Sequence, residues 1–204
     1  MLVGFSNGGL EMRMEGGETR LSGRFPYNKR AVLSDGGRTG RPRKESIASR
    51  AFAYRVDKPD EDIHLLSGHD YGKPLASRGA GTLDLRDTDD ALIFEARISE
   101  EMREVSYVRD ALSALSAGLI AGISPGFRLP PKRRVEKPET ITDEGMDPKN
   151  GAFNAIIRTV NIALLYELSL VTRPAYDETQ IEMRSWETNG KQPVANFTPH
   201  SRWR

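Results

Sequence analysis

Three polar side chains stand in places where the surrounding apolar pattern does not call for them. Ser124 lies in Gly118–Phe127, GLIAGISPGF, a strand-like run in which Gly118, Ile120, Gly122, Ser124 and Gly126 share one face. That face is nearly bare, so a substrate backbone can come close to the hydroxyl. His69 ends the apolar run Asp62–Asp70, DIHLLSGHD, between Gly68 and Asp70. Glu167 sits in the middle of ALLYELSLVT, Ala163–Thr172, on the same face as Ser169 and Val171 and opposite Leu168 and Leu170. A carboxylate there costs several kcal/mol to bury unless it is paired.

Together these residue types could perform nucleophilic acyl transfer. Ser124 would attack a peptide carbonyl. His69 would take the hydroxyl proton and return it to the leaving amine, and Glu167 would accept the other ring N–H and stabilise the imidazolium. Asp70 follows His69 directly, but adjacent residues of an extended chain point to opposite faces, which leaves Glu167 as the candidate orienting carboxylate. His64 reads as a half-buried strand residue, and His200 falls in the terminal tail. Each member also has a simpler explanation. Gly and Ser in a strand mark bulges and tight crossings, His69 suits a cap or loop, and Glu167 could pair with Arg158 or Arg173.

The elements around these residues follow from periodicity. GTLDLR (81–86) and ALIFEARI (91–98), joined by Asp87–Asp90, form a β-hairpin pattern. Met102, Val105, Val108, Leu112 and Leu115 mark one apolar helix face. Ser99 suits its N-cap, Glu100 and Glu101 its first turn, and Gly118 its C-terminal end. This helix leads the chain into the Ser124 strand. Strands are also expected over 153–160, 163–172 and 179–183, and a short helix over Glu45–Phe52 from the spacing of Ile47, Ala51 and Tyr54. The basic, glycine-rich stretch Asn28–Lys44 reads as a mobile loop, and the proline-rich, charged stretch 130–151 as an exposed insertion. Residues 1–19 read as a flexible entry arm, and 184–204 as a disordered tail.

Composition narrows the function classes. The chain has 204 residues, 37% hydrophobic and 29% charged, with a formal net charge of +1. The near-neutral charge and the lack of clustered aromatics argue against a nucleic-acid-binding barrel. No apolar run approaches the length of a membrane-spanning helix, and no secretory leader is recognisable. A cytosolic protein is expected. The absence of cysteine excludes disulfides and thiolate metal sites, and no cofactor or metal is implied.

In this order and spacing, LLSGHD, the hairpin GTLDLRDTDDALIFEA, GISPGF and ELSLVTRPA resemble the tailed-bacteriophage prohead protease family, which is similar in fold to the herpesvirus assemblins. The likeness runs over about residues 20–183, which makes that span the protease domain. It implies a mainly β, α+β fold, a partly closed β-barrel flanked by helices. It also implies a serine endopeptidase with Ser124 as nucleophile, His69 as general base and acid, and Glu167 in the third place, where assemblins have a second histidine. The expected partners are a scaffold protein or the major capsid protein as substrate, and the protease itself. The expected setting is the assembling procapsid in the host cytoplasm. Assemblins are activated by dimerisation, which raises a homodimer here, and the loop near Arg173 is the implied source of oxyanion donors. Pro125 departs from the family pattern and, having no N–H, cannot contribute its own amide. The alternative of a different class is a catalytically silent capsid-assembly module of the same fold.

Overall fold

A computed structural model describes residues 5–7, 10–15, 17–174 and 176. In chain order the strands are β1 (Phe5–Asn7), β2 (Leu10–Glu15), β3 (Glu18–Pro26), β4 (Arg30–Ser34), β5 (Arg43–Ile47), β6 (His64–Ser67), β7 (Asp70–Ser77), β8 (Leu83–Asp87) and β9 (Ala91–Ile98). They continue with β10 (Gly122–Arg128), β11 (Glu139–Asp143), β12 (Met146–Asp147), β13 (Ala152–Phe153), β14 (Ile156–Val160) and β15 (Leu164–Val171). The helices are α1 (Ala53–Val56), α2 (Glu100–Arg103) and α3 (Ser106–Ser116). None of them is long and apolar enough to cross a membrane.

The fold is mainly β. A five-stranded sheet runs β1-β2-β3-β9-β8, one four-stranded sheet runs β10-β15-β6-β7, another runs β11-β14-β5-β4, and β12 pairs with β13. None of these sheets closes into a barrel, so the partly closed barrel implied by the resemblance is not what the strand order gives. The first sheet is antiparallel throughout. In β9, Leu92, Phe94, Ala96 and Ile98 are buried, while Glu95 points out, the alternation of a half-buried strand. The expected hairpin appears as β8–β9, closed by Thr88, which donates its hydroxyl to the Ala91 carbonyl.

The sheet that carries the candidate residues has β15 in its interior. This strand pairs antiparallel with β10 on one side and parallel with β6 on the other. Both its faces are closed to solvent: Leu168 and Leu170 on one, Glu167 and Ser169 on the other. Leu65, Leu165, Leu168, Leu170, Val108 and Leu115 belong to one hydrophobic core.

Several expectations change in the structure. The stretch expected as a helix over Glu45–Phe52 begins as strand β5, with Glu45, Ser46 and Ile47 buried in parallel pairing with β14. The spacing of Ile47, Ala51 and Tyr54 was a coincidence of local pattern that long-range pairing overrides, and Tyr54 is largely exposed. The basic 28–44 stretch holds β4 and the start of β5, which leaves 28–29 and 35–42 outside strands. The stretch expected as an entry arm contains β2, a strand of the first sheet, whose Leu10 and Met12 are buried in the hydrophobic core. The 130–151 insertion is mostly exposed, yet β11 within it pairs with β14.

The single helix expected after Ser99 is two helices separated at Glu104–Val105, where Val105 is extended. Its ends are as expected. Ser99 accepts the Met102 amide, and Gly118 takes a left-handed conformation with φ +72°. The expected strand over 179–183 and the tail over 184–204 lie outside the described residues.

Candidate active site

Glu167 lies on the interior strand, 3% exposed, and its two oxygens are both engaged. Oε1 is 2.7 Å from His69 Nδ1, and Oε2 accepts the Ser169 hydroxyl at 2.6 Å. Neither arginine suggested by the sequence is its partner among the described residues. Arg158 instead pairs with Glu45 at 2.7 Å and Glu139 at 2.6 Å. The energetic cost of burying the Glu167 carboxylate is therefore offset by a histidine and a hydroxyl.

His69 reaches Glu167 because of the turn that carries it. Ser67 pairs with Asp70 across a two-residue hairpin loop, Gly68–His69, in which both φ angles are positive, +64° and +60°. That is the type I′ pattern, whose twist suits a hairpin. A left-handed histidine costs about 1–2 kcal/mol, and two hydrogen bonds to β15 hold it there. Gly68 N–H donates to the Leu170 carbonyl at 3.0 Å, and His69 N–H to Ser169 Oγ at 2.9 Å. The ring itself is half-exposed, with Nδ1 turned inward to the carboxylate. Asp70 is occupied elsewhere. It accepts the Gly72 amide at 2.8 Å and faces Lys73, and these two contacts, the amide first, hold its carboxyl below the usual range.

Ser124 stands on β10 directly opposite Ser169, and Gly126 directly opposite Glu167. This register explains the bare face. A Cβ at residue 126 would lie 1.9 Å from Glu167 Oε1, so the glycine makes room for the carboxylate rather than for a substrate. Gly122 does the same for Pro174, whose Cγ would be 2.9 Å from an added Cβ. β10 is an edge strand, which accommodates Pro125.

A cavity of about 430 Å³ joins these pieces. Ser124 and His69 both line it, with Ser67, Gly68, Ile120 and the Leu170–Arg173 segment. Among the described residues no cluster of three or more histidines and carboxylates suits a metal ion. A hydroxyl and an imidazole on one open cavity, with a carboxylate buried behind the imidazole, is an arrangement that could support acyl transfer.

A sequence model of the family described as caudovirus prohead serine protease matches residues 32–192. The chain belongs to this family. Membership brings with it a serine protease of phage capsid maturation, in agreement with the resemblance carried by LLSGHD, GISPGF and ELSLVTRPA. The matched region contains β5 through β15, including Ser124, His69 and Glu167, and begins within β4. No curated protein and no solved structure matches the chain.

Sequence reasoning placed Ser169 on the face of Glu167 but gave it no task. Its signal was present: a second polar residue two positions from a buried carboxylate, on a strand otherwise rich in leucine. The carboxylate behind Gly126 left no such signal, because it depends on a cross-strand register.

Proposed function

We propose that the chain is a serine endopeptidase that cleaves scaffold or capsid protein, and itself, through a Ser124–His69–Glu167 triad and an acyl-enzyme. The observation that carries this reading is the 2.7 Å contact of His69 Nδ1 with the buried Glu167, beside a cavity that His69 shares with Ser124. With Nδ1–H donated to Glu167, Nε2 is the acceptor left for the Ser124 proton. Ser124 Oγ attacks the peptide carbonyl, His69 holds the proton, and the same proton then goes to the leaving amine. Water repeats the cycle on the ester, which regenerates the serine. No hydrogen bond joins Ser124 to His69 among the described residues; contacts of this kind tighten when substrate arrives.

Oxyanion donors come from a segment other than residue 125, since Pro125 has no N–H. The Thr172–Arg173 segment, which lines the same cavity, is the proposed source. The setting is the assembling procapsid in the host cytoplasm. A catalytically silent assembly module would have no use for a buried carboxylate tied to a half-exposed histidine, which favours the enzyme.

The test is co-expression of wild type or Ser124→Ala with the cognate capsid and scaffold proteins, followed by mass measurement of every chain. Loss of the nucleophile removes about 10⁶ in rate, so processing disappears while circular dichroism stays unchanged. Trimming that persists in Ser124→Ala refutes the assignment.

A further inference from the structure

Ser169 is completely buried, makes no contact with the cavity, and yet touches both partners of the proposed triad's acid–base pair. Its oxygen accepts the His69 backbone N–H at 2.9 Å. Its own proton is directed to Glu167 Oε2 at 2.6 Å. Glu167 Oε1 then meets the side chain of the same histidine at 2.7 Å. The contacts close a ring: from the His69 main chain through the Ser169 hydroxyl and the Glu167 carboxylate, back to the His69 imidazole.

We propose that Ser169 is a positioning residue that fixes the orientation of the His69 ring relative to its own backbone. The inference rests on the triad reading above. The physical need is specific to this turn. His69 occupies a left-handed conformation at the tip of a hairpin, φ +60°, in a position where asparagine or glycine is more usual. A half-exposed ring on such a tip has several rotamers available. The Gly68 N–H bond to the Leu170 carbonyl anchors the turn one residue earlier, but among the described residues only Ser169 holds the His69 peptide itself, and anchoring only the main chain would leave the ring free to turn. One hydroxyl on the interior strand does both, because a serine accepts and donates at the same atom. Glu167 and Ser169 are two residues apart on β15, hence on one face, and β6 runs parallel beside them to deliver the turn. The core leucines on the opposite face, Leu168 and Leu170, prevent β15 from shifting under it. Alanine would leave the His69 amide without its acceptor and Glu167 Oε2, buried on the interior strand, without its donor.

The experiment measures the rate at which a fluorophosphonate probe phosphonylates the full-length protein, by intact mass. This reaction needs an activated serine and no knowledge of the natural substrate. Wild type, Ser169→Ala and Ser169→Cys are compared, each also combined with His69→Ala, with thermal unfolding as a check on folding. Ser169→Ala is expected to label about 10- to 100-fold more slowly than wild type, and to cause less than about a twofold change when His69 is already alanine, since coupled residues are not additive. Labelling of Ser169→Ala at the wild-type rate overturns the inference. So does the same fold-loss in the His69→Ala background, which would mean that Ser169 merely supports the fold. If Ser169→Ala does not fold, Ser169→Cys, close in size with a weak donor, is judged by the same two comparisons. Failure of the triad reading has its own signature: Ser124→Ala still labels at the wild-type rate, or His69→Ala alone has no effect.

Discussion

Replacing Gly126 by alanine tests whether the Glu167 carboxylate stands where His69 requires it. The new Cβ would lie 1.9 Å from Oε1, 2.6 Å from Cδ and 2.8 Å from Cγ. To reach an ordinary contact the carboxylate must retreat by about 1.5 Å. It has nowhere to go on its own strand, because Glu167 is 3% exposed and held by His69 on one oxygen and Ser169 on the other. Such a retreat breaks at least one of these charge-assisted bonds, worth about 1.5–3 kcal/mol each, and leaves a carboxylate oxygen buried without a partner. A loss of about 3 kcal/mol is expected. In a chain of this size that lowers Tm by about 6–12 °C. Displacing the acid by more than about 1 Å also costs about 100-fold in turnover. Scanning calorimetry reads the first effect, and fluorophosphonate labelling of Ser124 the second. Gly126→Ala combined with Glu167→Ala separates clash from coincidence. With the side chain cut back to Cβ the collision is gone, so the double variant unfolds at a higher temperature than Gly126→Ala alone, while labelling remains slow. A wild-type Tm and labelling rate in Gly126→Ala would refute the reasoning, and so would a double variant less stable than either single one.

Glu167→Gln keeps the shape but removes the charge. Capsid processing followed by mass measurement is expected to slow by about 10⁴-fold, against about 10⁶ for Ser124→Ala, and an unchanged rate removes Glu167 from the triad. A structural prediction concerns Tyr27, just after β3, whose hydroxyl donates to Asp87 at the end of β8 in a buried bond of 2.6 Å. Burial raises the Asp87 carboxyl above its usual range, and the Tyr27 hydrogen bond opposes that rise. The Asp87 contribution to stability is therefore fullest below its unfolded value and is lost as pH rises through the folded one. Tyr27→Phe removes the donor and costs about 2 kcal/mol at neutral pH. The cost shrinks in acid, where a protonated Asp87 no longer holds an uncompensated charge. Urea titrations of both proteins at neutral pH and in acid check this, and an equal loss under both conditions would contradict it.

Strands with alternating or continuously apolar patterns were legible from the sequence, and segments fixed by distant partners were not. ALIFEARI alternates cleanly and became β9, and ALLYELSLVT became the interior strand β15. DYGKPLAS, by contrast, contains a glycine and a proline and went unread, yet it is β7, an edge strand with irregular register against β6. Edges and bulges tolerate such residues. RKESI carried the wrong local signal for the same kind of reason. Its Glu45 is buried because Arg158 of β14 and the Tyr176 hydroxyl both reach it, at 2.7 and 2.5 Å. No pattern within five residues anticipates partners more than a hundred positions away.

The candidate site separates along the same line. Residue type alone marked Glu167, since a carboxylate among leucines must have a partner, but it left His69, Arg158 and Arg173 all open as that partner. What the sequence also left ambiguous was the emptiness around Ser124. Read along the strand, glycines at 122 and 126 look like space reserved for a substrate. Read across the strands, the space at 126 is filled by Glu167 and that at 122 by Pro174. The Ser124 strand is bare because its neighbour is not. A buried acid on β15 needs a hollow on β10, and Ser124, two residues before that hollow on the same face, is carried into the cavity with His69 by the register that makes room for the acid. Gly126 and Glu167 are therefore one feature written in two places, and a substitution at either should be compensated, in stability though not in activity, only at the other.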